Sequence, residues 1–258
     1  MSQEAALYAI SPIDGRYRDK LHALSAYFSE YALIQYRVEI EIRYILFLSK
    51  QGMSQLPPFT ETQSAQLESI YTTFNLDHAK RIKEIEKTTN HDVKAVEYFI
   101  KEQIKAMNIS FNEEFIHFGL TSQDINNTAI PLLLKRFIVD VYLVELENLQ
   151  QKINAFSHEW KDVSMLAKTH GQPASPTSLG KEMAVFNERI LVQLDQLLAV
   201  PFSAKFGGAT GNFNAHKVSF PELNWIQLGN EFVASLGLKR SRLTTQIEHY
   251  DNLAALCD

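Results

Sequence analysis

Apolar residues recur at three- and four-residue spacing along almost the whole chain, while alternating strand patterns are scarce. The pattern predicts an all-α protein. From Thr121 to Trp160 there is no glycine and only one proline, Pro131, which predicts a single helix well beyond the usual globular length. Its apolar positions, among them Leu132, Phe137, Val141, Val144 and Leu149, cover more than one stripe, and a helix apolar on several sides needs partners on several sides. The stretch from Thr177 to Leu198 repeats this with Leu179, Met183, Phe186, Ile190 and Leu194, with Ser175-Pro176 read as cap and first helical residue. Two long helices joined by a structured loop predict a bundle, and their surplus apolar surface predicts that it continues into other subunits.

The first hundred residues read as shorter helices, with a loop at GMSQLPP (52–58). A boundary is expected around residues 108–112. This gives a small helical N-terminal domain, 1–110, followed by a long-helix bundle domain, 111–258. The closing IEHYDNLAALCD stops inside an apolar helical pattern without glycine or cap, so the bundle is expected to be truncated and the chain to be part of a longer protein.

With 258 residues, 45% of them hydrophobic, a large core is affordable. The net charge of −5 supplies no broad basic field for nucleic acid or anionic lipid, so an anionic ligand must be held by a local cluster. MSQEAALYAI lacks a basic segment ahead of an apolar one, and no apolar run is long enough to span a bilayer, which predicts a cytoplasmic protein without membrane contact. The single cysteine, Cys257, excludes an internal disulfide framework and a thiolate cage; with no HExxH pattern either, no metal site is expected.

Polar knots interrupt the apolar pattern at 11–20, 87–99, 117–126 and 168–178, and in the pair 207–216 and 244–251. Each falls at or near a helix end, where unpaired N–H groups favour anions. Thr89 or Asn90 can cap a helix that buries Val93, Val96 and Ile100, with His91 in its first turn, where the helix dipole disfavours a cationic ring. These residues either only cap or also contact a phosphate or carboxylate. Thr121 and Ser122 open the longest helix, as a cap or as a carboxylate cradle; His117 is expected to be a buried histidine with a backbone partner. Arg16 and Tyr17, after Asp14-Gly15, form an exposed turn or an anion fork beside an aromatic platform. GGATGNFNAH lacks the spacing of a dinucleotide or Walker loop. The 166–183 loop gathers Thr169, Gln172, Ser175, Thr177 and Ser178 around His170. Buried hydroxyls and amides cost stability unless paired, and an imidazole exchanges protons near neutrality, so His170 is a catalytic candidate.

SPIDGRY, TTNHDVKAVEY, FIHFGLTSQDIN, THGQPASPTSLGKE, GNFNAH and TTQIE, in this order, resemble the adenylosuccinate lyase family of the fumarase/aspartase superfamily. The resemblance implies a fumarase/aspartase-like helical fold, a cytoplasmic homotetramer with active sites shared between subunits, and no cofactor or metal. It also implies the elimination of fumarate from adenylosuccinate, giving AMP, and from the related succinyl carboxamide ribotide. It casts His170 as the general acid. Arg16, Tyr17, Asn90, His91 and Asp92, the hydroxyl pair Thr121 and Ser122, and Gln246 are cast as substrate contacts. The family's serine-rich loop, approximately SSxMPxKxNP, which carries its general base, does not occur in these 258 residues. Another fumarate-releasing lyase such as argininosuccinate lyase, or a non-catalytic helical assembly fragment, are the alternatives.

Overall fold

The computed structural model describes residues 7–258; residues 1–6, the first part of the MSQEAALYAI stretch, lie outside them. After two 3-10 turns come helices α1 (Ser25–Phe28), α2 (Glu30–Ser49), α3 (Glu61–Thr72), α4 (Leu76–Thr89), α5 (Asp92–Ala106) and α6 (Ser122–Phe137). A π-helical stretch, Ile138–Tyr142, leads into α7 (Leu143–Glu159), strands β1 (Ser164–Thr169) and β2 (Gln172–Ser178), and α8 (Leu179–Ala199). Then follow β3 (Ser203–Ala204), α9 (Asn214–Ser219), α10 (Trp225–Ser235), β4 (Lys239–Arg240) and α11 (Asp251–Cys257).

The chain divides into two compact units. The first joins the described residues up to Lys135 to Phe202–Leu253, and the second joins Arg136–Pro201 to Ala254–Asp258. This grouping does not follow the expected division at residue 110. The physical reason is a shared core: Ile125 and Ala129 of α6, with Phe206 and Phe232 from the later segment, belong to the same buried cluster as Val38 and Ile40 of α2.

In the first unit α2 is the central element, 20 residues long rather than one of the short helices expected there. Ser29 caps it, its Oγ accepting from the Ala32 N–H at 3.0 Å, and it is buried on nearly all sides, including at Arg37, Glu39 and Glu41. Helix α4 ends at Asn90 in the left-handed conformation (φ 51°), which turns the chain directly into α5. His91 caps α5, not Thr89 or Asn90.

In the second unit the structured loop is an antiparallel β-ribbon, with Ser164 opposite Ser178 and Thr169 opposite Gln172. Pro176 therefore lies in β2 rather than opening a helix; α8 starts at Leu179, capped by Ser178. Proline survives here because both strands of a two-stranded ribbon are edges, each with an unpaired side. His170 and Gly171 form the two-residue turn with φ 47° and 75°, the positive pair that a type I′ hairpin turn demands. The expected single helix from 121 to 160 carries the π-helical stretch in its middle. Between α7, α8 and the last residues, a cleft of about 1150 Å³ is lined by apolar groups such as Tyr142, Leu146, Met183 and Phe186. No helix of the described residues is long and apolar enough to cross a membrane, and they contain no group of three or more His, Cys, Asp or Glu residues arranged to hold a metal ion.

Candidate functional site

The starts of α5 and α6 are held together by a charged side chain from α2. Arg37 is 8% exposed; its Nη2 donates to Asp92 Oδ2 at 2.6 Å and its Nε to Asn126 Oδ1 at 2.8 Å. The other oxygen of Asp92 accepts from the Val93 N–H at 2.8 Å, so its carboxylate is engaged within the chain. His91 stands at the N-cap and its Nδ1 accepts from the Lys94 N–H at 3.1 Å. A nitrogen that accepts is unprotonated, so Nε2 carries the ring hydrogen and the 3.6 Å approach of Nδ1 to Asp92 is not an ion pair. His91 thus stands at the cap, one position earlier than the first turn in which the sequence suggested it. Asn90 and His91 are exposed.

Helix α6 begins on a buried ion pair. Asp124 and Lys205 are both fully buried, with Nζ and Oδ1 2.7 Å apart. Asp124 also accepts from the backbone N–H groups of Gly207 at 2.8 Å, of Gly208 at 3.0 Å and of Thr121 at 2.8 Å. With every lone pair used, the carboxylate ties the helix start to the glycine-rich 207–211 turn, and Lys205 donates to Asp124 and to the Gly208 carbonyl. Thr121 and Ser122 are consequently held in a defined place while remaining partly exposed.

Two histidines flank this start and are tuned in opposite directions. His117, in the left-handed region (φ 60°), brings Nδ1 to 2.6 Å from Glu41 Oε1 and 3.8 Å from Glu97 Oε1, so its partner is a carboxylate rather than the expected backbone group. Burial works against the charged ring, but the charge and hydrogen bond of Glu41, helped by Glu97, outweigh it and raise the pKa above the ordinary 6.5. His216 is fully buried among Phe118, Phe213 and Trp225. Burial, reinforced by the Lys205 charge, lowers its pKa to about 4. Its Nε2 lies 2.9 Å from the Tyr44 hydroxyl, which is also 3.2 Å from the Phe118 carbonyl. The other ring nitrogen, Nδ1, is buried without a hydrogen-bond partner. Gly119 must lack a side chain because a Cβ there would meet the His216 ring at 2.6 Å.

The 244–251 segment reaches the same helix. Asn127 Oδ1 accepts from the Glu248 N–H at 2.8 Å and Nδ2 donates to the Tyr250 hydroxyl at 2.6 Å; Gln246, two residues before Glu248, is exposed. Asp92, through Arg37 and Asn126, and the 248–250 segment, through Asn127, are thus both tied to α6, the helix that Thr121 and Ser122 open. Arg16 and Tyr17 lie on exposed turns of the first unit, with the Arg16 guanidinium 5.6 Å from the Tyr17 ring centre. His170 lies on the second unit, exposed at the ribbon's tip, and the hydroxyls and amide of Thr169, Gln172 and Ser175 are exposed within this chain rather than buried. The ordering residues Arg37, Glu41, Lys205 and Tyr44 are absent from the sequence-derived set. Their only signal was the presence of charged or polar residues in otherwise apolar runs.

An adenylosuccinate lyase of Dictyostelium discoideum is 53% identical to this chain over 98% of it and 56% of its own length. One of Haemophilus influenzae is 44% identical over 99% of this chain and 57% of its own length. The chain thus spans a little over half the length of these curated relatives. The solved structure of a fumarate lyase from Mesorhizobium shares the fold, with a TM-score of 0.65 at 19% identity over 88% of this chain and 49% of that one. The family described as Lyase matches residues 15–258, and the chain belongs to that family.

Proposed function

We propose that this chain is part of an adenylosuccinate lyase that eliminates fumarate from adenylosuccinate, giving AMP, and from the succinyl carboxamide ribotide of purine biosynthesis. The observation that carries the reading is the 53% identity to the Dictyostelium discoideum enzyme across 98% of the chain. The reaction removes a weakly acidic carbon-bound proton and expels an amine, so it needs a base, a cradle for charge developing on the neighbouring carboxylate, and an acid for the leaving nitrogen. Thr121 and Ser122, at the start of α6 where unpaired N–H groups gather, suit the cradle. His170, exposed at the tip of a short ribbon, suits an acid that reaches a site completed by neighbouring subunits. Arg16, Tyr17, Asn90, His91 and Gln246 serve as nucleotide and succinyl contacts, with Asp92 acting through Arg37. The assembly is a cytoplasmic homotetramer whose active sites draw on more than one subunit, and the base comes from outside these residues. No cofactor takes part.

The test uses the protein that carries this chain, following adenylosuccinate by absorbance. His170→Ala is expected to lower kcat by roughly 10²- to 10⁴-fold, the usual contribution of a positioned proton donor, with a smaller change in KM. Turnover within a few-fold of the unsubstituted protein would overturn the assignment of the acid. Failure to consume adenylosuccinate, together with fumarate release from argininosuccinate, would overturn the substrate.

A further inference from the structure

Adjacent residues of α6 collect two segments that lie far away in sequence. Asn126 accepts from Arg37, which holds Asp92 and with it the 90–92 turn. Asn127, 1% exposed, spends its donor and its acceptor on Tyr250 and on the backbone of Glu248. A buried side-chain amide must be paired at both ends, and pairing both to one short segment leaves that segment a single seat. The segment needs such an anchor, because no helix or strand covers 241–250 among the described residues. Ser122 opens the same helix about one and a half turns ahead of Asn127, with Thr121 immediately before it.

We propose that Asn127 is a positioning residue. It seats 244–250, and therefore Gln246, at a fixed spacing from Thr121 and Ser122, while Asn126 does the same for Asn90 and His91 through Arg37. The inference rests on the proposed function for what these residues bind, but the seating itself does not depend on the substrate.

The experiment compares Asn127→Leu, which keeps the bulk and loses both bonds, with Asn127→Asp, which keeps an acceptor for the Glu248 N–H and can accept from the Tyr250 hydroxyl. In the protein carrying this chain, Asn127→Leu is expected to raise KM for adenylosuccinate about tenfold with kcat changed by less than about threefold. Amide exchange over 244–250 should quicken by about tenfold or more while α2 stays protected. Asn127→Asp should recover most of both effects. If Asn127→Leu does not fold, Tyr250→Phe removes one of the two bonds and should give a smaller change of the same kind. A lower melting temperature with unchanged KM and unchanged exchange over 244–250 would overturn the proposal. Should the unsubstituted protein not turn over adenylosuccinate, the substrate reading fails while the exchange measurement still decides the seating.

Discussion

The two compact units carry their apolar residues differently. In the first, aromatic and aliphatic side chains from α2, α5, α6 and α10 reach full burial, with Tyr44, Phe99, Phe206 and Phe232 among the largest. In the second, α7 contains no buried residue and α8 only Gly180, while Val144, Leu149, Phe186, Leu191 and Val192 stand open. The first unit has a core of its own, whereas the second is a helical surface with an unfilled apolar cleft. A buried core tolerates charges only when they are paired, and the first unit pairs Asp124 with Lys205 and Glu41 with His117. The second unit displays its candidate acid on a bare ribbon.

The largest expected effect breaks the core of the first unit. Lys205→Met leaves Asp124 buried with backbone donors but without its bonded counter-charge, and should cost about 3–5 kcal/mol, read as a lower urea midpoint. Little change would mean that the pair contributes no more than its volume.

Next in size is a pH effect that separates the two histidines. His216 has a folded pKa of about 4, below its ordinary 6.5, so the folded state binds fewer protons than the unfolded one. Its contribution is complete above about pH 6.5 and is lost as pH falls toward 4, amounting to about 3 kcal/mol. His117 behaves oppositely: with its folded pKa raised, its contribution is complete below 6.5 and is lost as pH rises through the folded value. Denaturant titrations should show His216→Gln flattening the acid side of the stability profile and His117→Gln flattening the alkaline side. Parallel profiles for the two variants would contradict the opposite tuning.

A smaller effect probes the second unit. Val192 is 48% exposed, so Val192→Glu should move folding stability by no more than about 0.5 kcal/mol. Under the proposed tetramer the same change buries a charge, and sedimentation should show self-association weakened by about tenfold or more. Unchanged association would leave this face without its proposed role.

How much of this was legible in the sequence follows the same contrast. Helical spacing is local, so α5, α6, α7 and α8 could be read directly, and contiguous motifs such as TTNHD and FGLTSQD marked the helix starts that the fold brings together. The ribbon was missed because Pro173 and Pro176 argue against a strand unless both strands are edges, which is a property of the pairing rather than of either segment. The residues that order the site were missed for a related reason. Lys205 and Asp124 lie 81 positions apart, Tyr44 and His216 172 apart, and no spacing rule links them. Arg37 and Glu41 sit in a helix so apolar that their charges read as exposed, whereas both are buried. Asn127 reads as part of a polar helix start, and only the structure reveals its bonds to 248–250.

The most local effect isolates the ribbon tip. Gly171 has φ 75°, and a Cβ added there would meet nothing within 4 Å, so Gly171→Ala exerts only a backbone cost of about 1–2 kcal/mol. Gly180 is the contrasting control: it lies within α8, but a Cβ there would collide with the Ser157 carbonyl and the Lys161 backbone, so the penalty is steric. Because His170 already occupies the left-handed region beside it, relaxing Gly171 should loosen the seat of the imidazole without disturbing the first unit. Amide exchange is expected to rise across 164–178 and to stay unchanged across α2, with kcat falling by less than in His170→Ala. If exchange in the ribbon were unaltered while kcat fell as far as in His170→Ala, the turn would act on the chemistry by some route other than carrying the histidine.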